Sequence, residues 1–152
     1  MLDRKEMTKK IKDLVQLDID AVHAYNEAIE NIEHESIRED LIRFRDDHQQ
    51  HIAALSVVLR DLGETPPDYS KDFKGFLISG LTSLRSSTGT AGAMKAMRSN
   101  EKLTNKKYSA AVEWDVDPAV KSIIRENLQD ERRHLAYIEE AIDSKIWEKV
   151  TI

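Results

Sequence analysis

Shifting the first half of the chain by 83 residues lays the polar residues of one apolar seam onto those of another. Asp18 falls on Glu101, Tyr25 on Tyr108, His48 on Glu131 and His51 on His134. A repeat of this kind restricts a chain to folds built from two copies of one structural unit. The apolar frame moves with the polar residues. One seam reads Ile37, Leu41, Phe44, His48, His51, Leu55, Val58, and the other reads Val120, Ile124, Asn127, Glu131, His134, Ile138, Ala141, both in alternating steps of four and three. That period belongs to a helix with one face turned to a core. The histidines and Glu131 therefore occupy core positions and not the solvated face.

The same periodicity predicts four long helices in an all-α, antiparallel four-helix bundle. The first runs from about Lys5 to Ile32, where Ile11, Leu14, Val15, Val22, Tyr25, Ile29 and Ile32 keep one face apolar. Ser36 followed by Glu39 has the form of a capping box, so the chain turns near His34 into a second helix that runs to Leu62 and stops at Gly63. The short turn makes the two helices antiparallel neighbours. Residues 63–89 read as a crossover, with a short helix expected around Phe73 to Leu84. Its roughly 25 residues can span a bundle of helices about 40 Å long. The third helix is expected from about Thr90 to Trp114. Asp117 and Pro118 supply a cap and a first-turn proline for the fourth, which reaches about Asp143. Helical hairpins at about 5–62 and 90–143 thus make one domain of the 152 residues. The tail from Ser144 carries no pattern.

Composition narrows the chemistry. The 28 acidic and 23 basic residues are well mixed, with a net charge of -5, and no basic stripe is available to neutralise phosphates. No nucleic acid partner is expected. The opening segment MLDRKEMTKKIKDL is too polar for a secretion signal and no later run reaches the length of a membrane span, so no membrane partner and a cytoplasmic address are expected. With no cysteine and five histidines, a metal site has only His, Asp and Glu to draw on.

Depth agrees with direction. A turn near residues 34 and 35 sets Asp18 level with His51 and one turn from His48, and a turn near residues 116 to 118 sets Glu101 level with His134 and close to Glu131. Three carboxylates (Asp18, Glu101, Glu131) and three imidazoles (His48, His51, His134) are then expected to meet at mid-height in the core. Ionised carboxylates in an apolar interior are costly unless paired or bound to a cation. Mixed oxygen and imidazole donors suit iron or manganese, and spacing of three lets both Glu131-x-x-His134 and His48-x-x-His51 chelate. The competing reading is a metal-free polar layer in which His and Glu satisfy one another. Tyr25 and Tyr108 are either outer hydrogen-bond donors to this set or core packing. Asp47 and Asp130, which also match under the shift, are either outer partners or solvated helix charges. Asp20-x-x-His23 has ligand spacing but points away from the Asp18 face, and a surface position is expected for it. Met94 and Met97 are expected in the core.

An acid on the first helix with a tyrosine seven residues on (Asp18 to Tyr25), an acid on the third, Glu131-x-x-His134 on the fourth and a long crossover resemble the ferritin-like superfamily of bacterioferritins and rubrerythrins. The layout is most similar to the small bacterial ferritin-like domains of unassigned function. The resemblance spans nearly the whole chain and implies a ferritin-like bundle with a non-haem di-iron site, manganese or zinc being the alternative metals. It also implies handling of iron, oxygen or peroxide in stress, and a homodimer or larger homo-oligomer. Glu101, Glu131 and His134 match the superfamily pattern residue by residue. Asp18 is one methylene shorter than the usual Glu, and His48 stands where a bridging Glu is expected. An asymmetric metal pair, a single ion, and a metal-free structural or stress-associated bundle without turnover all remain open.

Overall fold

The computed structural model describes residues 1–68 and 89–148, and within them the chain forms four long helices and a short 3-10 turn. These are α1 (Arg4–Asn31), α2 (Glu35–Asp61), α3 (Gly89–Ala111) and α4 (Pro118–Ser144), followed by the turn Ile146–Glu148. The short helix expected at Phe73 to Leu84 lies outside the described residues.

Local chemistry sets the ends. Asp3 caps α1 by accepting a hydrogen bond from the Glu6 amide at 2.8 Å, and Asp117 caps α4 by accepting from the Val120 amide at 3.1 Å, with Pro118 in the first turn. The cap of α2 differs from expectation. His34 occupies it, its Nδ1 accepting from the Ile37 amide at 3.3 Å, and Ser36 falls inside the first turn. An imidazole nitrogen with a free lone pair does the work of a hydroxyl there. At the other end of α2, Gly63 adopts φ +79°, with Gly63 N–H donating to Arg60 O and Glu64 N–H to Leu59 O, both at 2.9 Å. These are the paired bonds of a Schellman closure.

The order of the helices follows from contacts between them. Tyr25 meets Glu101, Tyr108 meets Asp18, and Lys10 lies over the Trp114 ring, so α1 and α3 are antiparallel. Asp47 meets His134 and His51 meets Asp130, so α2 and α4 are antiparallel as well. Since α1 and α2 form a hairpin, α2 and α3 point the same way. Arg4 closes on the Leu62 carbonyl at one end of the bundle, whereas Thr90 reaches the Glu33 amide at the other. The α2 to α3 connection therefore joins opposite ends, as a crossover requires.

Each helix turns its apolar stripe inward, giving a core that includes Ile11, Ile19, Leu41, Leu55, Met94, Met97, Ile124 and Ile138. Burying such side chains contributes about 1.5–3 kcal/mol each before the entropy cost is set against it. One expectation fails here. Asp20 is fully buried, not exposed, and accepts a hydrogen bond from Gln16 Nε2 at 3.1 Å. The reason is that α1 is buried round its whole circumference from Leu14 to Val22, so the face opposite Asp18 is not a solvent face.

The α2 closure yields a test. Gly63 sits in the left-handed region, and a Cβ there would stand 2.9 Å from an Arg4 guanidinium nitrogen. Gly63→Ala is expected to cost about 1–2 kcal/mol, which in a chain of this size lowers Tm by about 2–4 °C per kcal/mol. Thermal unfolding followed by circular dichroism checks it.

Candidate metal centre

Asp18, His48, His51, Glu101, Glu131 and His134 come together at mid-height, each buried almost completely. Each helix contributes from its inward stripe: Asp18 from α1, His48 and His51 from α2, Glu101 from α3, Glu131 and His134 from α4. Two overlapping groups of four result. One is Asp18, His48, His51 and Glu131, and the other is His48, Glu101, Glu131 and His134. Within each group the four donor atoms lie within 4.8 Å of one another, so either group can hold a metal ion. His48 and Glu131, which the repeat superposes, are the two residues common to both.

The hydrogen bonds show how the groups are held. His48 Nδ1 lies 2.7 Å from Asp18 Oδ1, and its Nε2 lies 3.3 Å from Glu101 Oε1, so one ring faces both halves of the centre. His51 presents Nδ1 to Asp18 at 3.1 Å and donates through Nε2 to Asp130 at 2.9 Å. His134 repeats this arrangement, with Nδ1 turned inward and Nε2 donating to Asp47 at 2.8 Å. An imidazole oriented by a carboxylate on its far nitrogen is the usual preparation of a metal-binding histidine. The tyrosines complete the frame. Tyr25 donates to Glu101, and Tyr108 donates to Asp18 at 2.5 Å, both side chains fully buried. Asp47 and Asp130 are neither core nor freely solvated, with side chains 26% and 35% exposed.

Two buried donor atoms are left over. Glu131 Oε1 and His134 Nδ1 have no hydrogen-bond partner, although both are sealed from solvent. An unpaired buried polar atom costs roughly 1–3 kcal/mol. His134 Nδ1 faces Glu101 Oε1 at 3.4 Å in the second group of four, whereas Glu131 Oε1 lies 3.4 Å from both His48 Nδ1 and His51 Nδ1 in the first, so each group presents one atom that a cation would satisfy.

Charge is balanced internally when protons stand in for a cation. Burial opposes charge on His48, but the Glu131 carboxylate and the contacts to Asp18 and Glu101 outweigh it and raise the imidazole from 6.5 to about 9. Burial opposes charge on His51 and His134 too. The Asp18 carboxylate and the bond to Asp130 raise His51 to about 12, and the bond to Asp47 with the Glu101 charge raises His134 to about 11. The carboxylates respond in kind. Burial would lift Asp18 and Glu101, yet the surrounding imidazoles hold both below the ordinary range. Burial, reinforced by the Glu101 charge, leaves Glu131 raised against the pull of His48.

Several participants escaped sequence reasoning. Thr104, one turn beyond Glu101, has its hydroxyl 2.9 Å from Glu131 Oε2 and 3.0 Å from Glu101 Oε2, so it ties the two carboxylates together. Asn105 donates to the Glu131 carbonyl, and Asn127 donates to the Tyr108 hydroxyl. Phe44 stacks on His134 at 4.3 Å between ring centroids. Asn127 and Phe44 superpose under the repeat and could have been singled out on that ground. Thr104 superposes on Ala21, so only its spacing from Glu101 pointed to it.

Fold and centre together define a helical bundle protein with a buried carboxylate and imidazole cluster able to bind a metal. The chain belongs to the family described as Domain of unknown function (DUF2383), whose model matches residues 6–115. That match takes in all but the first two residues of α1, together with α2 and α3, and so includes Asp18, His48, His51 and Glu101. A comparison with curated proteins found no match. Among the described residues, no helix is long and apolar enough to cross a membrane.

The proton balance yields a second test. The three imidazoles have folded pKa values raised above 6.5, so their contribution to stability is complete below 6.5 and is lost as pH rises through about 9 toward 12. Asp18 and Glu101 are depressed, so their contribution is present above the ordinary carboxylate range and fades only in stronger acid. Metal-stripped protein is expected to be most stable near pH 5.5 to 6.5 and clearly weaker at about pH 9.5. Adding a divalent metal should reverse the alkaline loss, since the ion replaces protons. Urea denaturation at the two pH values, with and without metal, measures both effects.

Proposed function

We propose that this protein is a ferritin-like, non-haem metal protein that holds a pair of ions, iron first among them, between its two helical hairpins. The observation that carries the reading is the sharing of His48 and Glu131 between two groups of four donors, with Glu131 Oε1 and His134 Nδ1 otherwise unsatisfied. Asp18 and His51 would serve one ion, Glu101 and His134 the other, and Glu131 would bridge. The mixed oxygen and nitrogen donors suit ferrous iron, with manganese or zinc as alternatives. Bound iron would supply redox chemistry with oxygen or peroxide. The protein's own residues bind the ions, exclude water by burial, and hold protons on Tyr25 and Tyr108, whose hydroxyls burial and the neighbouring carboxylates keep protonated.

A single-ion module is the second reading, and His48 favours it. A neutral imidazole has one lone pair to give and cannot bridge two ions as a carboxylate does. Its bonds to Asp18 and Glu101 moreover let the centre persist without metal.

Metal analysis of purified protein, with Glu131→Ala and Glu131→Gln beside wild type, tests the proposal. Wild type should retain iron or another transition metal, and both variants should lose most of it; Gln keeps the side-chain shape, so its loss cannot be laid to a cavity. Unchanged stoichiometry in the folded Gln variant would remove Glu131 from the ligand set. His48→Glu separates the two readings. Three ligand carboxylates leave one net positive charge against two divalent ions, and a fourth would neutralise it where uncompensated charge is costly. Ferrous loading without oxygen at neutral pH should rise in that variant. No increase in a folded variant would favour the single ion.

A further inference from the structure

Arg133 stands where the hydrogen bonds of the centre reach the surface. One guanidinium nitrogen of Arg133 lies 2.8 Å from Asp47 Oδ2 and 3.0 Å from Asp130 Oδ1. Those two carboxylates in turn receive the Nε2 protons of His134 and His51, one from each half of the centre. The side chain is 55% exposed and its guanidinium lies 5.8 Å from the centroid of the Phe44 ring, whose other neighbours include His134. A single cation at the surface thereby ties together the outer supports of both inward-facing histidines.

Symmetry makes the arrangement more telling. The carboxylate and histidine pairs obey the repeat: Asp47 with His134 is the image of Asp130 with His51. Arg133 has no such image, because the repeat superposes it on Gln50, which is exposed. Without Arg133, the two carboxylates, held within reach of one nitrogen, would keep only the imidazole each is bonded to, with no shared cation bridging them. Repulsion would drive them apart, and the imidazoles they orient would be released with them.

We propose that Arg133 is a latch: by clamping Asp47 and Asp130 together it holds His51 and His134 in place and limits how fast metal ions enter and leave the centre. Arg133 is on this account a positioning residue, acting through two carboxylates and touching no ion itself. The rate-setting part of the proposal rests on the metal reading above, whereas the clamping part does not.

The test compares wild type, Arg133→Gln and Arg133→Lys, with Co2+ as the probe because its visible absorption reports coordination. Uptake of Co2+ and its removal by a chelator are followed by stopped flow at neutral pH. Release from Arg133→Gln should be about tenfold faster, the scale on which loss of an outer hydrogen-bond partner acts, and uptake should be faster too, with the final stoichiometry unchanged. A variant that merely weakened the ligands would release faster without taking up faster, and that pattern would overturn the latch. Arg133→Lys retains a charged nitrogen that reaches the carboxylates, and should move both rates back toward wild type. If wild-type protein takes up no Co2+, the metal reading fails and the clamp is judged alone. Solvent exchange of the His51 and His134 Nε2 protons, followed by NMR on metal-free protein, should quicken in Arg133→Gln and slow again in Arg133→Lys. Unchanged exchange there would overturn the clamp whatever the metal result.

Discussion

The structure depends on one constraint: six ionisable side chains are buried at the centre of an apolar core, and none can be left without a counterpart. An uncompensated charge in that setting would cost more than the whole net stability of an ordinary domain. The solution is reciprocal. Tyr25 of the first hairpin serves Glu101 of the second, and Tyr108 of the second serves Asp18 of the first. His51 and His134 reach across in the same way to Asp130 and Asp47. These bonds run between hairpins and not within them, so they also set the depth at which the two hairpins meet. A slip of one helical turn would break all four at once and strand the buried partners in a dry interior.

Much of this was legible because burial leaves a periodic trace. The steps of four and three placed His48, His51, Glu131 and His134 on inward stripes, and the turn positions placed Asp18 and Glu101 at their level. Helix ends were legible where a cap has a distinct residue type, as at Asp117 and Gly63. The cap at His34 was not, since histidine seldom plays that part and Ser36 offered a more familiar pattern two residues on. Asp20 was misread for a different reason. Periodicity says which face of a helix is apolar, but it does not say whether the opposite face is covered, and α1 is buried on both. Thr104 and Arg133 were missed because their roles lie in cross-helix distances, which a single-helix pattern does not encode.

The backbone repeat is more regular than the chemistry it carries. Asp18 and Glu101 differ by a methylene, His48 and Glu131 differ in kind, and Phe44 stacks on His134 where its image Asn127 bonds Tyr108. The two groups of donors are consequently unequal. In the first, His51 is engaged at both nitrogens and Glu131 Oε1 is the unsatisfied atom, while in the second the unsatisfied atom is His134 Nδ1. A cation entering the centre meets a different donor set in each half, and Glu131 reaches both.

The connection from α2 to α3 joins opposite ends of the bundle and makes two matching hairpins one molecule. Were the hairpins separate copies associating about a two-fold axis, every choice at one position would be imposed at its mate. A histidine at the place of His48 would mean a histidine at the place of Glu131, with no bridging carboxylate anywhere. A guanidinium beside the carboxylate pair would likewise come doubled, two like charges competing for one gap, or not at all. Covalent linkage lifts that rule. It lets a symmetric scaffold present an uneven interior, with an imidazole at one of two equivalent places and a carboxylate at the other.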